Sequence, residues 1–429
     1  MARTALAVLL MVLVIVGLLL VKSAAGEEHH GDAPAAKAKA IPDEHRGATV
    51  PEELKEEAAT ARAEEDLPPG LHWLTYPCFC QNWLEKETGT IAKALVSYQG
   101  QLLLNGQERQ GKGKSSFSYD LWLEHDLWKD AKINASVEGG SGEGLNPLVN
   151  SLLGVNADAG EPECIYVNRL YLSQEFWDKR LELYAGKLSL TDFFDSNAVA
   201  NDENVQFLAP ALVNNSTIPF PDNGLGAIAK YTPCDLFYVQ AGASDAQASA
   251  TEMGTNTAFH EQDDFFGVAE AGLTPTFGEL AGNYRTIFWY DPQPVDEFDG
   301  GTKRDDTGLA FSVDQQVSER VTLFGRYGFA HEAVREMSNF WSTGFEVQEP
   351  FAGRADDVFG LGVAQGILGR DFRETEGLAS TETLFEVYYN IAINKYIVIT
   401  PDLQTIINPG GRSSDDVAVV AGIRAILKY

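Results

Sequence analysis

Beyond residue 25 the sequence holds no apolar run near the roughly 18 residues that suggest a membrane-crossing helix, although hydrophobic residues are 44% of the composition. That absence excludes a helical transporter and leaves the apolar content dispersed in alternation. Positive charge is scarce, with 32 Lys and Arg against 62 Asp and Glu and a formal net charge of -30. Repulsion from phosphates therefore excludes a nucleic-acid binder that rests on a basic surface. The chain has no glycine-rich phosphate loop, no G-x-S-x-G elbow, and no His pair at helix spacing beyond His29-His30. No catalytic residue, cofactor or metal is expected, and the chain does not read as an enzyme. Only four cysteines occur, Cys78, Cys80, Cys164 and Cys234. Cys78-Phe79-Cys80 lacks the spacer of structural zinc sites. In an exported chain the four would make up to two disulfides, in any of three connectivities.

What is present begins with Arg3, an apolar stretch over 5–21 and the small residues Ser23-Ala24-Ala25 before Gly26. This pattern is that of a secretory signal peptide over 1–25, with an uncleaved single-span anchor as the alternative. Residues 26–70 are rich in Ala, Glu and Lys and poor in aromatics, so they are expected to form an acidic flexible periplasmic extension. From 71 to 429 the pattern changes to alternating segments separated by Gly, Asn, Asp and Pro, read as one domain.

The last segment is the clearest. Val417, Val419, Ala421, Ile423, Ala425 and Leu427 fall on one parity, and Arg424 and Lys428 on the other, before an aromatic end at Tyr429. Side chains alternate across a strand, so an apolar face would meet lipid and a polar face a wet interior. Val96, Tyr98, Leu102 and Leu104 oppose Ser97, Gln99 and Gln101 in the same way, and Phe385, Val387 and Tyr389 oppose Glu382, Glu386 and Asn390. Tight turns at Trp177-Asp178-Lys179-Arg180, Thr232-Pro233-Cys234-Asp235, Val317-Ser318-Glu319-Arg320 and near Asn394 alternate with long polar loops. The expected fold is all-β, a transmembrane antiparallel β-barrel of about sixteen strands beginning near Ala94. A soluble β-sandwich that binds ligands is the competing architecture. Phe288-Trp289-Tyr290 and Tyr388-Tyr389 sit where interface girdles are expected.

Several segments are similar to the carbohydrate-selective outer-membrane porin family, the OprB type. They are Glu382-Thr383-Leu384-Phe385-Glu386-Val387-Tyr388-Tyr389-Asn390, Thr400-Pro401-Asp402-Leu403-Gln404, Asn408-Pro409-Gly410-Gly411 and Gly422-Ile423-Arg424. A second block comprises Leu170-Tyr171-Leu172-Ser173-Gln174-Glu175-Phe176, Tyr184-Ala185-Gly186-Lys187, Asp192-Phe193-Phe194 and Ile218-Pro219-Phe220-Pro221. The usual Gly-rich opening is replaced by Tyr76-Pro77-Cys78-Phe79-Cys80. The resemblance implies a sixteen-stranded channel for passive diffusion of glucose-like monosaccharides across an outer membrane. A general or ion-preferring porin is the alternative.

By strand parity Arg169, Arg285, Arg326 and Arg424 point inward, as do Asp120, Glu124, Glu182, Glu382, Glu386, Asp402 and Gln404. Mixed charges in a pore wall tolerate a neutral solute better than an ion. Trp122 and Trp289 fall on the same parity and are candidates to stack on a pyranose ring. The loops near 139–163 and 189–223 are the expected constriction. Cys234, in a turn, is better placed to bond Cys78 or Cys80 than is Cys164. Expected partners are monosaccharides, outer-membrane lipid, barrel-assembly machinery acting on the strand that ends at Tyr429, and further copies in a homotrimer.

Overall fold

Alternation becomes a closed sheet. The computed structural model describes residues 81, 84–106, 110–259, 264–413 and 417–429. The readings of a signal peptide and an acidic extension, and the pairing of Cys78 or Cys80, lie outside the described residues.

The wall consists of sixteen antiparallel strands. In chain order they are β1 (Thr90–Asn105), β2 (Gly113–Trp128), β3 (Ala131–Ser141), β4 (Tyr166–Phe176), β5 (Leu181–Leu188), β6 (Gly224–Cys234), β7 (Phe237–Asp245) and β8 (Phe265–Leu273). They continue with β9 (Leu280–Asp291), β10 (Asp306–Gln316), β11 (Val321–Phe329), β12 (Met337–Gln348), β13 (Val358–Leu368), β14 (Thr381–Ala392), β15 (Ile397–Ile407) and β16 (Val417–Lys428). Each pairs with its neighbours in sequence, and β1 also pairs with β16 from Leu95↔Lys428 to Leu103↔Val420. Among the described residues the wall is thus a closed ring of strands, the condition for a sheet to sit in lipid.

The first strand starts four residues earlier than Ala94, at Thr90, preceded by a helical turn through Thr88. The expected turn at 232–235 lies slightly later, because β6 runs through Cys234 after an irregularity between Tyr231 and Cys234. Pro233 sits inside that irregularity, where its missing N–H is tolerated. Cys164 and Cys234 are free and exposed, one before β4 at the long-loop rim and the other at the tight-turn rim. Opposite rims exclude a bond between them, so that connectivity is removed.

Parity sorts the side chains. Tyr98, Leu102, Leu172, Leu323, Leu361, Phe385, Leu403 and Ile423 point outward and are exposed. Ser97, Gln99, Ser116, Ser312, Thr400 and Gln404 point inward and are buried. A soluble sandwich would bury the apolar face and wet the polar one; here the order is inverted, as in a barrel surrounded by lipid. Phe288 and Tyr290 join the outer face, whereas Trp289 and Tyr388 are buried on the inner side. Strand parity places alternate residues on opposite faces, so a run of aromatics cannot serve one girdle as a block.

The apolar core lies inside the barrel. Leu145, Val149, Leu153 and Val155 from loop 142–165, with Val199, Phe207 and Leu212 from loop 189–223, pack on Leu103, Phe324, Phe340, Leu384, Tyr388, Ile406 and Val420 of the wall. Glycines on the inner parity of β13 make room. A Cβ on Gly360 would lie 2.2 Å from the Tyr388 ring, and one on Gly362 would lie 2.9 Å from Phe207.

Leu403→Arg, on the outer face at mid-strand, is expected to destabilise the folded barrel by about 2–4 kcal/mol. Urea titration of folding in lipid vesicles measures this, and a change below ~0.5 kcal/mol would contradict the assigned parity.

Candidate functional site

The interior is narrowed by loops 142–165 and 189–223, which the wall holds by its own polar side chains. Glu382 on β14 accepts the Leu152, Leu153 and Gly410 N–H groups at 3.1, 3.3 and 2.8 Å, together with the Ser151 hydroxyl. Two side-chain repeats further along the strand, Glu386 accepts the Leu208 and Ala209 N–H groups at 2.5 and 2.9 Å. Both carboxylates are buried, and chain segments folded inside a barrel have no sheet partner for these amides. Gln101 and Gln404 donate to the Val155 carbonyl at 2.9 and 3.0 Å.

The arginines do the complementary work on carbonyls and carboxylates. Arg424 donates to the Glu203 and Gln206 carbonyls at 2.5 and 2.9 Å. Arg326 donates to the Asp195 carboxylate at 3.1 Å, to its carbonyl at 2.9 Å and to the Leu212 carbonyl at 3.2 Å. The carboxylate of Asp195 also accepts the Asn215 N–H at 2.6 Å, which fixes the next turn of the same loop. Arg285 pairs with Asp314 at 2.7 Å across adjacent strands. Arg169 bridges Glu138 and Asp192, each at 2.5 Å.

Between the two loops lies a cavity of about 530 Å³. Leu152, Pro210, Ile218, Pro219 and Phe220 give it apolar surface, while Ser151, Thr191, Asn214, Ser216 and Glu203 give it polar groups. Burial, together with Asp202 and Asp158 nearby, pushes the Glu203 carboxyl up to about 8. Burial likewise raises Asp158 to about 6, opposed by hydrogen bonds from Ser118 and Gln99.

Residues 105–429 match the model of the carbohydrate-selective porin, OprB family. The chain belongs to that family. Porin B of Pseudomonas aeruginosa is 23% identical over an alignment covering 85% of this chain and 93% of that one. Porin AaxA of Chlamydia abortus is 25% identical over 73% of this chain, which spans only 65% of its length. The high-pH structure of Pseudomonas putida OprB superposes with a TM-score of 0.73 at 20% identity, over 82% of this chain and 96% of that one, and shares the fold.

Within this porin, all the inward-assigned arginines and carboxylates lie on the lumen parity, yet their surroundings differ. Arg326, Arg424, Glu382, Glu386, Asp402 and Gln404 are buried against the loops, and Arg285 is held by Asp314. Arg169, Glu182, Glu124 and Trp122 are only half-buried. Glu182 lies 3.6 Å from Lys230, and Glu124 2.5 Å from Lys132. Trp289 is corrected as a stacking candidate. Its ring is fully buried, 6.3 Å from Phe266 and beneath the Arg335 guanidinium at 5.6 Å, so no pyranose reaches it.

Sequence reasoning missed the loop partners Asp192, Asp195, Asp158 and Glu203, and the inner lysine Lys187. Buried Lys187 donates to the Val167, Ala250 and Glu252 carbonyls at 2.8, 2.6 and 2.5 Å. No periodicity marks a loop residue. Glycines on the inner parity of β13 were a readable signal, because a strand gives up side chains where another segment approaches closely.

Glu386→Ala leaves two buried N–H donors without their acceptor, a cost of about 1–3 kcal/mol each that favours release of loop 189–223. The expected outcome is a larger single-channel conductance and faster entry of disaccharides, with heat-modifiable gel migration retained. Unchanged conductance would mean that the carboxylate does not hold the loop.

Proposed function

We propose that this porin is a passive outer-membrane channel through which glucose-like monosaccharides diffuse into the periplasm. On this reading the chain is exported by its first 25 residues, and barrel-assembly machinery acts on the strand ending at Tyr429. The observation that supports it is that the inward arginines are already engaged. Arg169, Arg285 and Arg326 each face a carboxylate at 2.5–3.1 Å, and Arg424 faces carbonyls. An arginine already engaged offers no free cation to an anion, while the remaining lone pairs and N–H groups of these pairs serve hydroxyls.

Liposome swelling with glucose, a disaccharide and a charged amino acid tests this. Glucose is expected to enter faster than an amino acid of similar size. Entry rates ordered by size alone would refute sugar preference.

A cation-preferring channel is the second reading, favoured by Glu203, which lines the cavity and forms no ion pair among the described residues. Its carboxyl is raised, so the neutral acid prevails below about pH 8 and the charged form above it. The cation-over-anion permeability ratio, read from reversal potentials, is therefore expected to rise between pH 7 and 9, and Glu203→Gln should abolish that rise. A flat profile in the parent protein removes Glu203 as a selectivity charge.

A further inference from the structure

Close to the cavity between the loops, three half-buried aromatic rings meet on the inner side of the wall. Tyr171 of β4 and Tyr184 of β5 both lie on inward parity, and Phe193 comes from loop 189–223. Tyr184 and Phe193 have ring centroids 4.7 Å apart at 58°, and Tyr171 stands edge-on to both at 6.2 and 6.1 Å. Behind them is a buried apolar cluster containing Leu188, Leu190, Phe194 and Ile218, against which the three rings pack. Each ring is only half-buried, so part of its surface stays open, and packing of the other side on the cluster fixes its position.

Charged pairs border the rings on two sides. The Arg169 guanidinium grips Asp192 with two bonds of 2.5 and 2.9 Å, at side-chain exposures of 20% and 33%. Glu182 accepts the Tyr184 hydroxyl at 2.5 Å and lies 3.6 Å from Lys230, at exposures of 22% and 34%. These four groups are paired and still partly open to the lumen. Thr191 lines the cavity between the loops, and Asp192 and Phe193 follow it directly, so consecutive residues join the cavity to the rings.

We propose that Tyr171, Tyr184 and Phe193 form a docking platform for a pyranose ring beside the cavity between the loops. The pairs Arg169–Asp192 and Glu182–Lys230 then take its hydroxyls. A pyranose offers an apolar C–H face to an aromatic surface and a rim of hydroxyls to planar charged groups, and this corner supplies both at once. Arg169 and Lys230 already occupy the neighbouring carboxylates, so an ammonium ligand would meet aromatic faces but no free counter-charge. This assignment rests on the reading of the protein as a sugar channel and locates where a sugar would pause within it.

The test is blockade of ion current through the reconstituted full-length protein in planar bilayers. Glucose and choline are added separately to the parent protein and to Tyr184→Leu, Phe193→Leu and Tyr184→Phe, each checked for folding by heat-modifiable migration. In the parent, glucose is expected to reduce the current in a saturable way and choline is not. Both Leu variants should raise the half-blocking glucose concentration about tenfold, and Tyr184→Phe, which keeps the ring, should stay within about twofold of the parent. Equal half-blocking concentrations in parent and Leu variants would overturn the platform, as would choline blocking as well as glucose. Glucose that crosses in swelling assays without blocking the current also overturns it, while the channel reading stands. Glucose that neither crosses nor blocks overturns both. Should a Leu variant fail to fold, Tyr171→Leu supplies the same comparison from the third ring.

Discussion

An amide left without a partner in hydrocarbon costs several kcal/mol, and the pairing of β1 with β16 removes the last two sheet edges at which that cost would arise. The register of this seam fixes more than closure. Gln99 stands opposite Arg424 and Gly100 opposite Ile423. A slip of one residue in β16 would turn Ile423 into the lumen and Arg424 toward lipid. From this follow an apolar outer belt and a polar inner wall, repeated from strand to strand around the ring. The acidity of the chain then matters little to the membrane-facing surface, because the charges gather in the lumen, the turns and the loops.

A polar inner wall makes it possible to fold long loops into the barrel. Loop backbone brought inside needs acceptors and donors, and Glu382, Glu386, Gln101, Gln404, Arg326 and Arg424 supply them. Several residues that point inward by parity therefore serve the loops, with the solute path left to what the loops themselves expose. Apolar packing of Phe207 and Leu212 against Phe324 and Tyr388 completes the attachment, and Gly360 and Gly362 provide the space. Wall, loop and cavity are thus one mechanical unit, in which the acceptors of β14 help to determine the opening between the loops.

How much of this was legible depends on whether a residue's setting is local. Strand parity is local, so the alternation in Val417–Lys428 and Thr381–Ala392 foretold the outer face, the closing strand and the inward side of Arg424 and Glu386. The long loops stood out by length and composition. What Arg424 touches was not legible, because its partners Glu203 and Gln206 lie more than 200 positions away in a loop without periodicity. The same holds for Asp195 beneath Arg326. Trp289 shows the limit of parity from the other direction: it points inward as expected, yet packed neighbours cover it, and a sequence pattern specifies direction without specifying depth.

On the sugar-channel reading proposed above, the engaged arginines of the lumen favour a neutral solute over an ion that must break their contacts. An ion entering a wall of close pairs must compete with contacts already made at 2.5–3.1 Å, and displacing one partner exposes a charge stripped of water. A polyol makes no such demand, since it exchanges hydrogen bonds with water for bonds to atoms that keep their partners. Glu203 lines the cavity without an ion pair among the described residues, and burial with its acidic neighbours pushes its carboxyl up to about 8. The protonated acid is itself a donor and acceptor for hydroxyls. Burial at the constriction therefore turns the one unpaired carboxylate lining the cavity from an ionic group into a polar, neutral one.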